Sequence, residues 1–134
     1  MAAPALELQG AIVAAVRADS SLMALIADIY DRPPADPFGD AQGYVTFGPE
    51  DTSTETGCVG IETVTLQLDV WSRRVGRVHA KQILHELTRV VFAVVTVENP
   101  IVSRGEPFKR IIEDPDGVTT HGILQLSFGM ETRG

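Results

Sequence analysis

The stretch that decides the fold runs from Val64 to Leu87, VTLQLDVWSRRVGRVHAKQILHEL. Its first part alternates strictly. Val64, Leu66, Leu68 and Val70 fall on one face, and Thr65, Gln67, Asp69 and Trp71 on the other, which is the period of a half-buried strand. The pattern places that strand over Ile61 to Ser72. Its second face is mostly polar, so helices are expected to cover the sheet on one side only. From Val78 to about Val95 the apolar residues recur at helical spacing instead. Ile83, Leu84, Leu87, Val91 and Val94 make the stripe, widened by Val90 and Val95. The β-branched run at the end has weak helix propensity and invites early termination. Between strand and helix sit Arg73, Arg74 and Arg77.

Working outward, Leu6 to Ala18 reads as a helix with Leu8, Ile12, Ala15 and Val16 on one face. Asp19-Ser20-Ser21 breaks it and can cap a second, shorter helix over Leu22 to Ala27. IYDRPPADPFGDAQG, rich in Pro, Gly and Asp, reads as loop. Tyr44 to Gly48 is a short strand. Pro49 to Gly60 is polar and acidic without periodicity and reads as a flexible loop. Ile101 to Glu113 holds one or two strands. DPDG at Asp114 to Gly117 is a turn that joins them to a last strand, THGILQLSFGM, with Leu124, Leu126, Phe128 and Met130 facing one way. The order ααβ, βα, ββ gives an α+β fold, an antiparallel or mixed β-sheet packed by helices on one face. At 134 residues, one domain spanning 1–134 is expected.

Composition narrows function. The net charge is -7, which argues against a general nucleic-acid coat. No stretch approaches the ~20 apolar residues of a membrane helix, so no membrane partner is expected. MAAPALELQ lacks the basic start of a secretory signal. The single cysteine, Cys58, has no partner for an internal disulfide and lies in an acidic loop that raises a thiol pKa. Ser72 to Val78 has only Gly76, too few glycines for a phosphate loop, and no Lys-Ser follows. His79 and His85 are spaced to point to different helix faces, and His121 is remote in sequence. All three are read as ordinary surface or edge residues. No catalytic residue, no metal site and no cofactor is assigned.

The charge is unevenly spread. Glu50, Asp51, Glu55 and Glu62 are the only charges between Gly48 and Thr63, whereas Arg73 to Arg89 carries Arg73, Arg74, Arg77, Lys81 and Arg89 against Glu86 alone. Cations at a helix start oppose its dipole at a cost of about 0.3–1 kcal/mol each, which a partner carboxylate would offset. A head-to-tail ring could pair the acidic and basic surfaces of neighbours. The plainer alternative is a solvated basic turn. Trp71 beside the arginines is either a covered side chain or an interface anchor. The interface candidates are therefore Glu50, Asp51, Glu55, Trp71, Arg73, Arg74 and Arg77. A third possibility is a small DNA-binding module using the arginines.

LELQGAIVAAVRAD, IYDRPP, YVTFG, LDVWSR, the A-x-x-I helix and DPDGVTTHGILQLSF occur in an order and at spacings that resemble a tail-completion, or tail terminator, family of long-tailed siphovirus-like phages and gene transfer agents. It was long catalogued as a domain of unknown function. The resemblance extends from Leu6 to about Phe128. It departs where Gly43 stands in place of the usual proline before YVTFG, and in a longer loop over Pro37 to Gly43. It implies a non-enzymatic, cofactor-free virion protein. Such proteins form a homo-oligomeric ring, commonly hexameric, on the head-proximal end of the tail tube. The partners implied are the tail tube protein and the head-tail connector (stopper) protein, with DNA only as cargo through the lumen. A stopper or adaptor ring is the alternative role.

Overall fold

The computed structural model describes residues 2–54 and 60–132. Helix α1 spans Pro4–Ala18, α2 Ser20–Met23 and α3 Val78–Phe92; the strands are β1 Ile29–Tyr30, β2 Gly43–Thr54, β3 Ile61–Ser72, β4 Ile101–Arg104, β5 Phe108–Glu113 and β6 Thr120–Glu131. They form one sheet in the order β1-β2-β3-β6, and β4 and β5 share the far side of β6. β6 pairs with β5 through Thr120 to Gln125 and with β4 through Phe128 to Met130. Every pairing is antiparallel except β1 with β2, so the sheet is mixed. The α+β architecture is the expected one.

β3 and β6 form the centre, in register from Ile61 opposite Glu131 to Ser72 opposite Thr120. Their inward residues Val64, Leu66, Leu68, Val70, Leu124, Leu126, Phe128 and Met130 are buried, as the alternation requires. Leu8, Ile12 and Val16 of α1 and Ile83, Leu84, Leu87 and Val91 of α3 close the same core. Burying each such side chain is worth about 1.5–3 kcal/mol. Gly122 lets α3 approach the sheet: a Cβ there would stand 3.0 Å from Leu84 Cδ1 and 3.1 Å from Val70 Cβ.

Several expectations are corrected. β2 does not stop at Gly48. It continues to Thr54, with Glu50 opposite Leu66 and Thr54 opposite Glu62. The alternation is hidden by a bulge between Phe47 and Glu50, which takes up Pro49, a residue that cannot donate to a ladder. The loop expected over Pro49 to Gly60 is thus strand as far as Thr54, while Glu55 and Cys58 lie outside the described residues. Ile29–Tyr30 inside the expected loop is a short parallel strand. α2 begins at Ser20 and ends at Met23, short of Ala27, with the Asp19 carboxylate accepting Leu22 N–H at 2.9 Å as its cap. α3 ends at Phe92, and Val95 is exposed beyond it. The early stop is the one that the β-branched run invites, and the Arg104 guanidinium donates to the carbonyls of Phe92 (2.9 Å) and Val94 (2.7 Å), satisfying acceptors left over at and just beyond the helix end.

Candidate subunit and partner interfaces

The exit of β3 is built around a histidine. His79, in the first turn of α3, is 3% exposed. Its Nε2–H donates to the Leu25 carbonyl at 2.8 Å, and its Nδ1 accepts from the Ser72 hydroxyl at 2.7 Å. The carbonyl can only accept, so Nε2 carries a proton, and burial, which disfavours the charged ring, leaves Nδ1 free to accept: the neutral Nε2–H tautomer. Burial holds its pKa below 6.5, and nearby Arg74 acts in the same direction against the Leu25 hydrogen bond. The ring fits because residue 43 is glycine: a Cβ there would lie 2.7 Å from His79 Cε1. His79 is therefore a structural pin, not the surface residue expected.

The helix-free face carries an aromatic row. Trp71 stacks on His121 with centroids 3.9 Å apart and planes at 10°. Tyr44 lies 6.2 Å on the other side of Trp71, and Phe38 meets Tyr44 edge-on at 4.8 Å. Trp71 Nε1–H donates to Thr46 Oγ1 at 3.0 Å, and His121 Nε2 is 2.7 Å from Asp69 Oδ1. Trp71 is half-buried within its own sheet, and His121 is likewise tied in rather than a loose edge residue. His85 is exposed as expected.

The three arginines differ. Arg73 lays its guanidinium over the Phe38 ring, 3.9 Å from the centroid. Arg74 Nε donates to the Ala41 carbonyl at 3.2 Å. Both steady the loop before β2. Arg77 reaches Glu113 at 3.5 Å in an exposed pair. Val75 between them is fully exposed, and Val118 of the adjoining turn is also exposed. That turn is formed as expected, with Asp116 accepting Val118 and Thr119 N–H at 2.8 Å each.

Glu50 and Asp51 are exposed and pair with β3 through their backbones, and the carboxylate of neither has a hydrogen-bond or ion-pair partner among the described residues. From Leu66, opposite Glu50, to Ser72, opposite Gly43, β3 runs about 20 Å at ~3.3 Å per residue. The acidic strand and the basic turn thus sit at different heights of one sheet, and Trp71 stands with the basic group.

Two features were not read from the sequence. Glu7 accepts N–H bonds from Val97 (2.9 Å), Glu98 (2.9 Å) and Asn99 (2.8 Å), which clamps the α3–β4 connection onto α1. Burial raises the Glu7 pKa, but the donors together outweigh it and hold the carboxyl below 4.5. The exposed Val95 and Val97 ride on that clamped segment. A groove of about 350 Å³ between α3 and β5 is lined by Lys81, Leu84, His85, Lys109, Arg110 and Ile111. Lys81, Lys109 and Arg110 have no acidic partner among the described residues. Lys109-Arg110 was visible in the sequence, but its place on a sheet edge depends on topology.

The family model for tail completion protein gp17 matches residues 10–131. Among solved structures, a chain in the virion of a native gene transfer agent particle superimposes with a TM-score of 0.78 at 26% identity, covering 98% of this chain and 99% of that one. The gp17 protein of bacteriophage SPP1 superimposes with a TM-score of 0.64 at 22% identity, covering 96% and 93%. No protein of curated function matches in sequence.

Proposed function

The chain belongs to the tail completion protein gp17 family, and on that premise we propose that it is a structural tail terminator. Copies form a ring, hexameric in this reading, on the head-proximal end of the tail tube of a phage or gene transfer agent. The ring ends tube polymerisation and offers the surface to which the head connector joins. The observation that carries this is end-to-end likeness, over 98% of this chain and 99% of that one, to a chain built into a gene transfer agent virion.

The geometry supports the role. A terminator needs two unlike axial surfaces and two complementary lateral ones. The ends of the sheet are unlike. At one, exposed Val75 lies between Arg74 and Arg77 in the chain, and Arg77 lines a small hollow with exposed Val118. At the other, exposed Leu6, Val95 and Val97 lie where Glu7 holds the chain. Contact segments fixed in advance lose less entropy on docking. In this reading Arg77, with Trp71, Arg73 and Arg74 holding the turn in shape, meets the tube or the connector. Glu50 and Asp51 face a neighbouring copy. A chain of net charge -7 around the lumen would also repel passing DNA.

The test is co-assembly of the purified tube protein with and without this chain, read by electron microscopy. Short tubes capped at one end by a ring support the reading. Tube growth unaffected, with binding only to connector proteins, moves the chain to a stopper ring. Retention on DNA that depends on Arg73, Arg74 and Arg77 would instead favour the DNA-binding module.

A further inference from the structure

The sheet ends in two open edges of opposite charge. On one side β1 covers β2 only at Val45 and Thr46. From Glu50 to Thr54 the outer edge of β2 has no strand beside it among the described residues, and all of its residues are exposed. On the other side β5 pairs only with β6, and five of its six residues are exposed. Such edges present unpaired N–H and C=O groups and invite another strand. The first edge reads Glu-Asp-Thr-Ser-Thr and the second Phe-Lys-Arg-Ile-Ile-Glu.

We infer that β2 of one copy adds to β5 of the next, so that the sheet runs on from subunit to subunit around the ring. This rests on the ring proposed above and names the surfaces that close it. Facing matches. Glu50 lies opposite Leu66 and Lys109 opposite Leu124, so both share the helix side of the sheet. Asp51 lies opposite Thr65 and Arg110 opposite Ile123, so both share the open side. A shared sheet therefore sets Glu50 beside Lys109 on one face and Asp51 beside Arg110 on the other, directly or on the diagonal. Direction also matches. β2 is antiparallel to β3, β3 to β6 and β6 to β5, so β2 and β5 run oppositely. Rotation about a ring axis preserves those directions, so the joint is antiparallel, and strands tilted to that axis, as in closed barrels, step the register by the two to four residues that separate the heights of Glu50 and Lys109 and of Asp51 and Arg110. The contact is heterologous, edge to opposite edge, which closes into a ring. Phe108 and Ile112, 53% and 37% exposed, lie on the open side of the basic edge and gain cover from the incoming strand.

The test uses charge exchange in particles from cells lacking the natural chain. One variant carries Glu50→Lys and Asp51→Lys; the other carries Lys109→Glu and Arg110→Glu. Each alone opposes like charges at every joint, and ring incorporation is expected to fall on the order of 100-fold. Expressed together, the two are complementary at both joints and should restore rings of strictly alternating copies, readable by native mass spectrometry. That rescue also shows that each variant folds. Normal rings from either variant alone overturn the edge pairing and leave the ring standing. Failure of the mixture, with both variants folded by circular dichroism, overturns it too. Absence of any ring in particles bearing the unchanged chain instead removes the proposed function itself.

Discussion

Gly43 and His79 should behave as one unit. A methyl at residue 43 would stand 2.7 Å from His79 Cε1, 3.1 Å from Ile83 Cδ1 and 3.2 Å from the Trp71 carbonyl. Carbon atoms prefer ~3.5–4.0 Å, so something must move. The ring cannot swing aside cheaply, because Ser72 and Leu25 hold both of its nitrogens. Gly43→Ala should therefore cost about 2 kcal/mol, within the usual range for overpacking. At a urea slope of ~2 kcal/mol/M this is a midpoint shift of about 1 M. His79→Ala loses two hydrogen bonds and strands the Leu25 carbonyl, for about 3 kcal/mol. In the double variant the alanine Cβ enters the space that the ring has left. The pair should then cost about 1–2 kcal/mol less than the sum of the two. Urea unfolding of the four proteins reads this directly. Additivity within ~0.5 kcal/mol, or a neutral Gly43→Ala, would refute the reasoning.

Three further outcomes follow from the same contacts. Because burial lowers the folded pKa of His79 from 6.5, the unfolded chain binds more protons as pH falls below that value. This contribution to stability is complete above about 6.5 and is lost on acidification; urea midpoints from pH 8 to 5 should decline, and the decline should flatten in His79→Gln. Glu7 is likewise held below 4.5, so its contribution is present above that pH and disappears as pH falls through the folded value. Glu7→Gln should cost about 1–2 kcal/mol near neutrality, allowing for partial exposure, and should speed hydrogen exchange at Val97 to Asn99. Arg104→Met should cost about 2 kcal/mol by freeing the Phe92 and Val94 carbonyls; unchanged exchange in the last turn of α3 would contradict the cap.

Much of the fold could be read directly. β3 and β6 announce themselves because one face is buried and the other is mostly polar, and α1 and α3 because each buries one stripe. The outer half of β2 could not be read, since Gly48-Pro49 shifts the register and Glu50 to Thr54 are exposed on both faces. Without a buried face there is no alternation to see. The early end of α3 was signalled by its β-branched run, but its cap was not legible, as Arg104 reaches it from a later strand. The acidic and basic groups were legible as composition, yet composition does not tell a free charge from an engaged one. Arg73 and Arg74 turn onto Phe38 and Ala41, while Lys109 and Arg110 stay open on an edge that exists only once β5 lies beside β6. The burial of His79 follows from Gly43, distant in sequence, and no local signal carries it.

The most direct measurement of the central claim is electron cryomicroscopy of tails from producer cells with and without this chain. With it, a terminator predicts tails of one length, each closed at its head-proximal end by a single ring of this protein. Without it, tubes should grow to indefinite length and carry no heads. Tubes of normal length in its absence, failing only to join heads, would contradict termination and make the chain a joining protein alone.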